Sequence, residues 1–559
     1  MVRTAVRKSA AIAGLLLALA AAACSPRQVA NLDDPWTFHL GDVANAQQPA
    51  FDDSAWAAVT LPHTWNAFDG QDGGTPYTRG IGWYRRHVTL ANSYSGKRVF
   101  ITFKGADATA ELFINGSSAG VHKGGYSAFT FDVTGLMAVG VDTVLAVKVN
   151  NAGDSNRLPL SGDFNQCGGI YRDVLLTSTS PVHITLTDYA GPGVYATPSN
   201  VSAASADLKV TVKLRNDTVA LANVDVEVKV LDADGNTVLT STLPQAVPGV
   251  SGLDSVHLMT LAAPHLWNGR ADPYQYLVWA RVLAAGKLLD EVTQPLGFRF
   301  YHVDPDTGFT LNGAPLDLHG ASFHQDRINK GWAISDADQE EDVALVKEVG
   351  ATFVRLAHYQ HPQRTYELLD AAGIIAWSEI PYVNSTNNSA AFTDNARQQL
   401  RELIRQNYNH PSVFFWGMYN EIGDDATSEA LVANLVALAH AEDATRPTTA
   451  ATQEFQDSVP NAFKPDVIGV NKYAGWYHGS AGEIAGWADA YHAGHPTACF
   501  GVSEYGAGAS INQHEDDPAP PSPGGPWHPE EYQNLFHEAY WAQLSARPFI
   551  WSKLVWNMF

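Results

Sequence analysis

Val413-Phe-Phe-Trp-Gly-Met-Tyr-Asn-Glu421 and Cys499-Phe-Gly-Val-Ser-Glu-Tyr-Gly506 are short apolar runs that each deliver a glutamate at or near their end. As strands of one parallel barrel, both runs present their C-terminal ends on the same face, and the two carboxylates meet across a pocket although they are distant in sequence. Two carboxylates facing each other at a few ångströms are the equipment of glycoside hydrolysis. The barrel reading is testable along the rest of the chain, because it demands further buried strands separated by helices.

Beyond Asp304 such strands occur. Apolar candidates at 316–322, 351–358, 373–380, 413–420, 448–452, 467–473, 499–504 and 549–557 supply the barrel number, with the glutamates on the fourth and seventh. Helical patterns fill 336–349, 362–372, 394–407, 428–444 and 529–545. The sequence stops at Trp556-Asn-Met-Phe559, so this reading leaves the (β/α)8 barrel of residues 304–559 without its last helix, as in a C-terminally incomplete domain.

Upstream the period changes to two. Gly82-Trp-Tyr-Arg-Arg-His-Val-Thr-Leu90, Arg98-Val-Phe-Ile-Thr-Phe-Lys-Gly105 and Ala110-Glu-Leu-Phe-Ile-Asn-Gly116 are short strands between turn signals, and residues 25–178 read as a first β-sandwich. Leu208-Lys-Val-Thr-Val-Lys-Leu214 and Val224-Asp-Val-Glu-Val-Lys-Val230 alternate more cleanly, and residues 179–303 read as an immunoglobulin-like β-sandwich. The fold expected is therefore multidomain, two β-sandwiches followed by the barrel.

The bulk composition narrows function. A net charge of −23, from 35 Lys plus Arg against 58 Asp plus Glu, repels polyphosphate and excludes nucleic acid as a partner. Fifteen Trp within 11% aromatic residues offer flat rings for apolar faces of a ligand. At the N-terminus, Arg3, Arg7 and Lys8 precede a small apolar run that ends at Cys24-Ser-Pro. Residues 1–24 read as a signal peptide of the lipoprotein type, with Cys24 as the lipidation site and ordinary signal-peptidase cleavage as the alternative. Either implies export, to the periplasm or to a membrane-anchored lipoprotein. Only Cys167 and Cys499 remain beyond it, which excludes a disulfide framework.

Val59-Thr-Leu-Pro-His-Thr-Trp-Asn66, Gly80-Ile-Gly-Trp-Tyr-Arg-Arg86, Cys167-Gly-Gly-Ile-Tyr-Arg-Asp-Val174, Pro264-His-Leu-Trp267, Val354-Arg-Leu-Ala-His-Tyr359, Asn409-His-Pro-Ser-Val413, Tyr419-Asn-Glu421 and Ser503-Glu-Tyr-Gly506 occur in that order. In these motifs the chain resembles glycoside hydrolase family 2. The resemblance implies a jelly-roll sugar-binding domain before the immunoglobulin-like one, and hydrolysis with retention of anomeric configuration. It implies Glu421 as acid/base, Glu504 as nucleophile, and substrate contacts from Asp163, His358, Asn420, Tyr473 and Trp556. Donors around Glu504 are expected to lower its pKa, and its negative charge to raise that of Glu421.

The stretches around His358, Trp377 and Trp416 look most like bacterial β-galactosidases, so the expected reaction is release of terminal β-galactose from a β-linked oligosaccharide or glycan. A β-glucuronidase of the same family is the alternative, and a non-catalytic carbohydrate-binding lipoprotein is the alternative from another class. His319, His324, His358 and His361 with Glu379 offer imidazoles and a carboxylate, but no tight metal-binding spacing occurs; neither a metal nor a cofactor is expected.

Overall fold

The computed structural model describes residues 27–69 and 77–559. Cys24 and the leader around it lie outside the described residues.

The first unit is a sandwich of two antiparallel sheets. One has four strands in the order Gln28–Asn31, Val174–Thr179, Arg98–Phe103, Phe129–Asp132. The other has six, in the order Ala57–Val59, Trp36–Leu40, Ile81–Thr89, Asp142–Asn150, Thr109–Ile114, Ser117–Lys123. Alternate residues such as Ala110, Leu112 and Ile114 turn inward to a core shared with Val99, Ile101 and Phe103. The second unit packs Ser205–Asn216 and its partners against the sheet containing Ala222–Leu231. Its strict alternation buries Leu208, Val210, Val212 and Leu214 opposite Val224, Val226, Val228 and Val230. The period-two patterns of the sequence thus become the two inner faces of a sandwich.

The third unit is a closed parallel barrel of eight strands. We label them β1 (His319–Phe323), β2 (Phe353–Leu356), β3 (Ile375–Glu379), β4 (Val413–Asn420), β5 (Thr448–Gln453), β6 (Val467–Asn471), β7 (Phe500–Tyr505) and β8 (Lys553–Val555). Pairing of β8 with β1, His319 opposite Lys553, closes the ring. Every residue of β4 and β7 is buried, as continuous apolar runs require when a strand is covered on both faces. Phe415, Trp377 and Trp551 fill the barrel interior, and Phe309 and Leu311 of a preceding three-stranded sheet extend this core. Each such ring is worth about 1.5–3 kcal/mol of burial.

Helices α1 (Asp336–Glu348), α2 (Gln363–Ala372), α3 (Ala390–Asn407), α4 (Ala426–Glu442), α5 (Ile484–Gly494) and α6 (Glu530–Leu544) are described around the barrel. Ser335 and Asp425 start α1 and α4 with reciprocal capping boxes. Gly373 ends α2 at φ +70°, where a Cβ would lie 2.2 Å from the Gly269 carbonyl oxygen. Helix α5 was not among the expected helices: its apolar residues are interleaved with Gly486 and Gly494, and a 3-10 turn, Ala481–Glu483, blurs its start. Between β5 and β6 the connection contains only a 3-10 turn, Pro460–Phe463. After β8, residues 556–559 continue along the upper rim, with Met558 N–H donating to the Ser322 carbonyl.

The first sandwich docks on the barrel through polar pairs that position its loops. His122 meets Glu402 at 2.9 Å, Ser127 donates to Gln360 at 2.9 Å, and Arg172 donates to Gln325 at 2.7 Å. Tyr126 stacks on Tyr359 at 4.4 Å between ring centres.

Candidate active site

The strand ends β4 to β7 and the chain beyond β8 surround a cavity of about 290 Å³. Asp163, His358, Asn420, Glu421, Tyr473, Glu504 and Trp556, drawn from two domains, all line it. Its wall also contains Glu454, Phe455, Asn471 and Tyr477, to which sequence reading gave no role.

Beneath the cavity lies Arg355 of β2, fully buried. Its Nη1 donates to Glu504 Oε1 at 2.6 Å, its Nε and Nη2 grip both oxygens of Glu379 at 3.0 and 2.9 Å, and Nη2 also donates to Asn420 Oδ1 at 2.8 Å. One guanidinium thus ties three strand ends together. Because an arginine can only donate, Asn420 must present Oδ1 to it, which leaves the Asn420 amide NH₂ to donate elsewhere. Close approach of β3 to β4 depends on Gly417, where a Cβ would meet Trp377 Nε1 at 2.2 Å and Glu379 Cβ at 2.3 Å.

Tyr473 donates to the other oxygen of Glu504 at 2.8 Å. Burial holds the phenol's pKa well above its usual value, so it remains a donor. Among the described residues Glu421 receives one side-chain hydrogen bond, from Asn471 Nδ2 at 2.7 Å; Ser503 in turn donates to Asn471 Oδ1 at 2.7 Å, fixing that amide. The Glu421 backbone is left-handed at φ +52°, a conformation unfavourable for a side chain with a Cβ.

These environments correct one expectation. Glu504 is not held below the ordinary carboxylate range: burial outweighs Arg355 and Tyr473 and, with the neighbouring Glu421, pushes it up to about 8. Glu421 is raised too, by burial first, with Asp163 and Glu454 adding to it. The pair therefore binds a proton at a pH where free carboxylates are ionised. The value of about 8 belongs to the proton the two carboxylates share, and because a guanidinium and a phenol donate to Glu504 against one amide to Glu421, the remaining negative charge is favoured on Glu504 and the proton on Glu421.

His358 Nδ1 lies between Glu379 Oε1 at 2.9 Å and Arg355 Nη2 at 3.0 Å, which leaves Nε2 as the ring nitrogen turned to the cavity without a partner among the described residues. Burial lowers its pKa and keeps it neutral. Trp556 stacks on the His358 ring at 4.8 Å and 18°, forming one wall. Asp163 stands on a loop of the first sandwich, exposed at the cavity mouth; Ser161 beside it bonds Ser385 of the barrel at 3.1 Å.

Glu379, considered as a metal ligand from sequence, is engaged by Arg355 and His358. His319 pairs with Asp317 at the opposite end of β1, His324 contacts the Tyr359 hydroxyl and His361 the Ala357 carbonyl. Among the described residues, no group of three or more His, Cys, Asp and Glu is arranged to hold a metal ion. Arg355 is the residue sequence reading passed over; its signal is a lone charge inside the otherwise apolar run Phe353-Val-Arg-Leu356.

Comparison with known proteins agrees with this architecture. Residues 29–180 match the sugar binding domain of glycosyl hydrolases family 2, residues 188–299 match the glycosyl hydrolases family 2 model itself, and residues 304–557 match that family's TIM barrel domain. A β-glucuronidase of Bacteroides fragilis is 44% identical over 513 residues, covering 90% of this chain and 72% of the relative. The β-galactosidase BoGH2A of Bacteroides ovatus is 30% identical over 496 residues, 80% of this chain and 57% of that protein. The structure of Bacteroides uniformis β-glucuronidase 2 covalently bound to cyclophellitol-6-carboxylate aziridine superposes with a TM-score of 0.90 at 33% identity, covering 95% of this chain and 65% of that one. The chain thus spans less than two thirds of the last two. From its sandwiches to its barrel, the chain belongs to glycosyl hydrolase family 2.

Proposed function

We propose that the protein is a retaining exo-acting β-glycosidase in which Glu504 is the nucleophile and Glu421 the acid/base. The observation that carries the assignment is the asymmetry of the pair: Glu504 is gripped on both oxygens by Arg355 and Tyr473, whereas Glu421 has one amide partner. Glu504 attacks the anomeric carbon while the glycosidic C–O bond breaks, and the departing oxygen takes the proton of Glu421. Water then attacks the same carbon, Glu421 accepts its proton, and the ester to Glu504 breaks. Two inversions give net retention. The free amide of Asn420 and Nε2 of His358 are placed to bond sugar hydroxyls, Trp556 to cover an apolar sugar face, and Asp163 to bond a hydroxyl at the mouth. A cavity of about 290 Å³, at the small end for ligand sites, suits one terminal sugar.

For the sugar itself, the 44% identical β-glucuronidase supports a β-glucuronide in place of the galactoside expected from sequence. The β-galactoside remains as second reading on a specific observation: the charged residues on the cavity wall are Asp163, Glu421, Glu454 and Glu504, and among the described wall residues none is a lysine or arginine to receive a sugar carboxylate. Aryl β-glucuronide and aryl β-galactoside assayed side by side decide between them. Glu504→Gly should lose about 10⁴-fold or more in kcat and, with azide, yield the α-glycosyl azide; Glu421→Gly with azide should yield the β-azide. The opposite stereochemistry would exchange the roles, an unchanged rate in Glu504→Gly would remove Glu504 from the chemistry, and a wild type that binds these sugars but hydrolyses neither aryl glycoside would leave the chain as a carbohydrate-binding protein.

A further inference from the structure

At the opposite end of the barrel, a cavity of about 570 Å³ opens between the immunoglobulin-like unit and the N-terminal ends of β4 to β7. The packed aromatic interior of the barrel separates it from the carboxylate pair. Its wall includes two arginines whose arrangement is unusual. Arg299, on the segment joining the units, donates from Nη2 to the Val413 carbonyl at 2.9 Å, and Arg446 donates from Nε to that same carbonyl at 2.7 Å. Two guanidiniums therefore converge on one oxygen.

Their counter-charges are unequal. Arg446 is paired with buried Asp443 at 2.7 Å, and its Nη2 reaches the carbonyls of Tyr408 and His410, so its donors are used. Arg299 forms no ion pair with any described residue, its Nε has no hydrogen-bond partner, and its Nη1 makes only a 3.4 Å contact to the Gly297 carbonyl. Its guanidinium rests 4.7 Å from the Phe414 ring. Burial and the facing Arg446 lower its pKa to about 9, against a smaller opposing pull from Tyr301, Asp370 and Asp443. The other ionisable pair on this wall, His440 with Asp466, is satisfied internally at 2.8 Å. A cation left uncompensated in a partly enclosed site is costly, and a planar guanidinium with unused donors is suited to an oxyanion.

We propose that this junction cavity is a second binding site, in which Arg299 receives an oxyanion: a free inorganic oxyanion or the carboxylate of a sugar acid. The site is independent of the sugar specificity of the carboxylate pair.

The test uses the whole chain with inorganic phosphate and D-glucuronate as probes, against sodium chloride at equal ionic strength. Phosphate should raise the Tm of the wild type beyond the chloride control, and calorimetric titration should give one site. In Arg299→Met the phosphate-dependent shift should vanish while kcat/KM on an aryl glycoside stays within about twofold. Arg299→Lys keeps the charge without the fork and should bind at least about tenfold more weakly. Tungstate soaked into crystals should appear beside Arg299. Tighter binding of glucuronate than phosphate, retained in Glu504→Gln and lost in Arg299→Met, assigns a sugar acid; the reverse order assigns a free oxyanion. Equal phosphate shifts in wild type and Arg299→Met or Arg299→Lys, no shift beyond chloride, or tungstate density only away from Arg299 would each overturn the proposal.

Discussion

The two ends of the barrel balance charge in opposite ways. At the upper end one buried cation, Arg355, faces two carboxylates, Glu379 and Glu504. At the lower end two cations, Arg299 and Arg446, share one carbonyl, that of Val413, and among the described residues only Arg446 of the two touches a carboxylate, Asp443. The upper cluster is short of positive charge and so retains a proton; the lower leaves one guanidinium, Arg299, without an ion pair among the described residues and so offers it to an anion. A β-barrel with an apolar middle keeps these imbalances from cancelling, because Phe415, Trp377 and Trp551 stand between them.

The harshest break in this contrast is Arg355→Met. It strands two buried carboxylates, and we expect a loss of about 3–5 kcal/mol in stability together with near-complete loss of turnover, read by calorimetry and by aryl glycoside assay. A Tm within a degree of wild type would mean the cluster is not electrostatically organised around Arg355.

Next in size is a pH effect. The Glu421–Glu504 pair shares a proton whose pKa is raised to about 8 from an ordinary 4.5, so the native state holds more protons than the unfolded chain between those values. The contribution of this pair is fully present below pH 4.5 and is lost as pH rises to about 8. Glu504→Gln removes that slope. Its stability relative to wild type should therefore climb between pH 5 and 8, by an amount on the order of 4 kcal/mol. A difference that stays flat across this window would refute the shift.

Two smaller changes should move the same carboxylate in opposite directions. Tyr473→Phe removes a donor to Glu504: kcat should fall about 10–100-fold, and the acid limb of kcat/KM should move to higher pH. Glu379→Gln frees Arg355 to serve Glu504, so that limb should shift down, by about one unit or less. Movement of both limbs in one direction would contradict competition for the guanidinium.

Much of this was legible in the sequence, and the reasons differ by region. The eight strands are apolar runs such as Val413-Phe-Phe-Trp, whose burial is written into their composition, and the sandwiches follow from alternation around Leu208 and Val224. Glu421 and Glu504 stand out because a charge terminates each run. Arg355 did not, since its meaning arises only when barrel closure brings β2, β3 and β7 around one guanidinium. The pKa of Glu504 was misjudged for a related reason: hydrogen-bond donors can be inferred from motifs, whereas the depth of burial that overrides them is a property of packing. Helix α5 escaped because glycines interrupt its pattern and a 3-10 turn displaces its start.

The left-handed backbone of Glu421 has an evolutionary consequence. At φ +52° glycine would sit there more comfortably than glutamate by about 1 kcal/mol, so random drift toward a more stable barrel runs directly against the acid/base. Lineages released from selection for turnover should lose this glutamate early and gain thermostability as they do so. The identity of that single position would then separate working enzymes from retired ones that keep the fold.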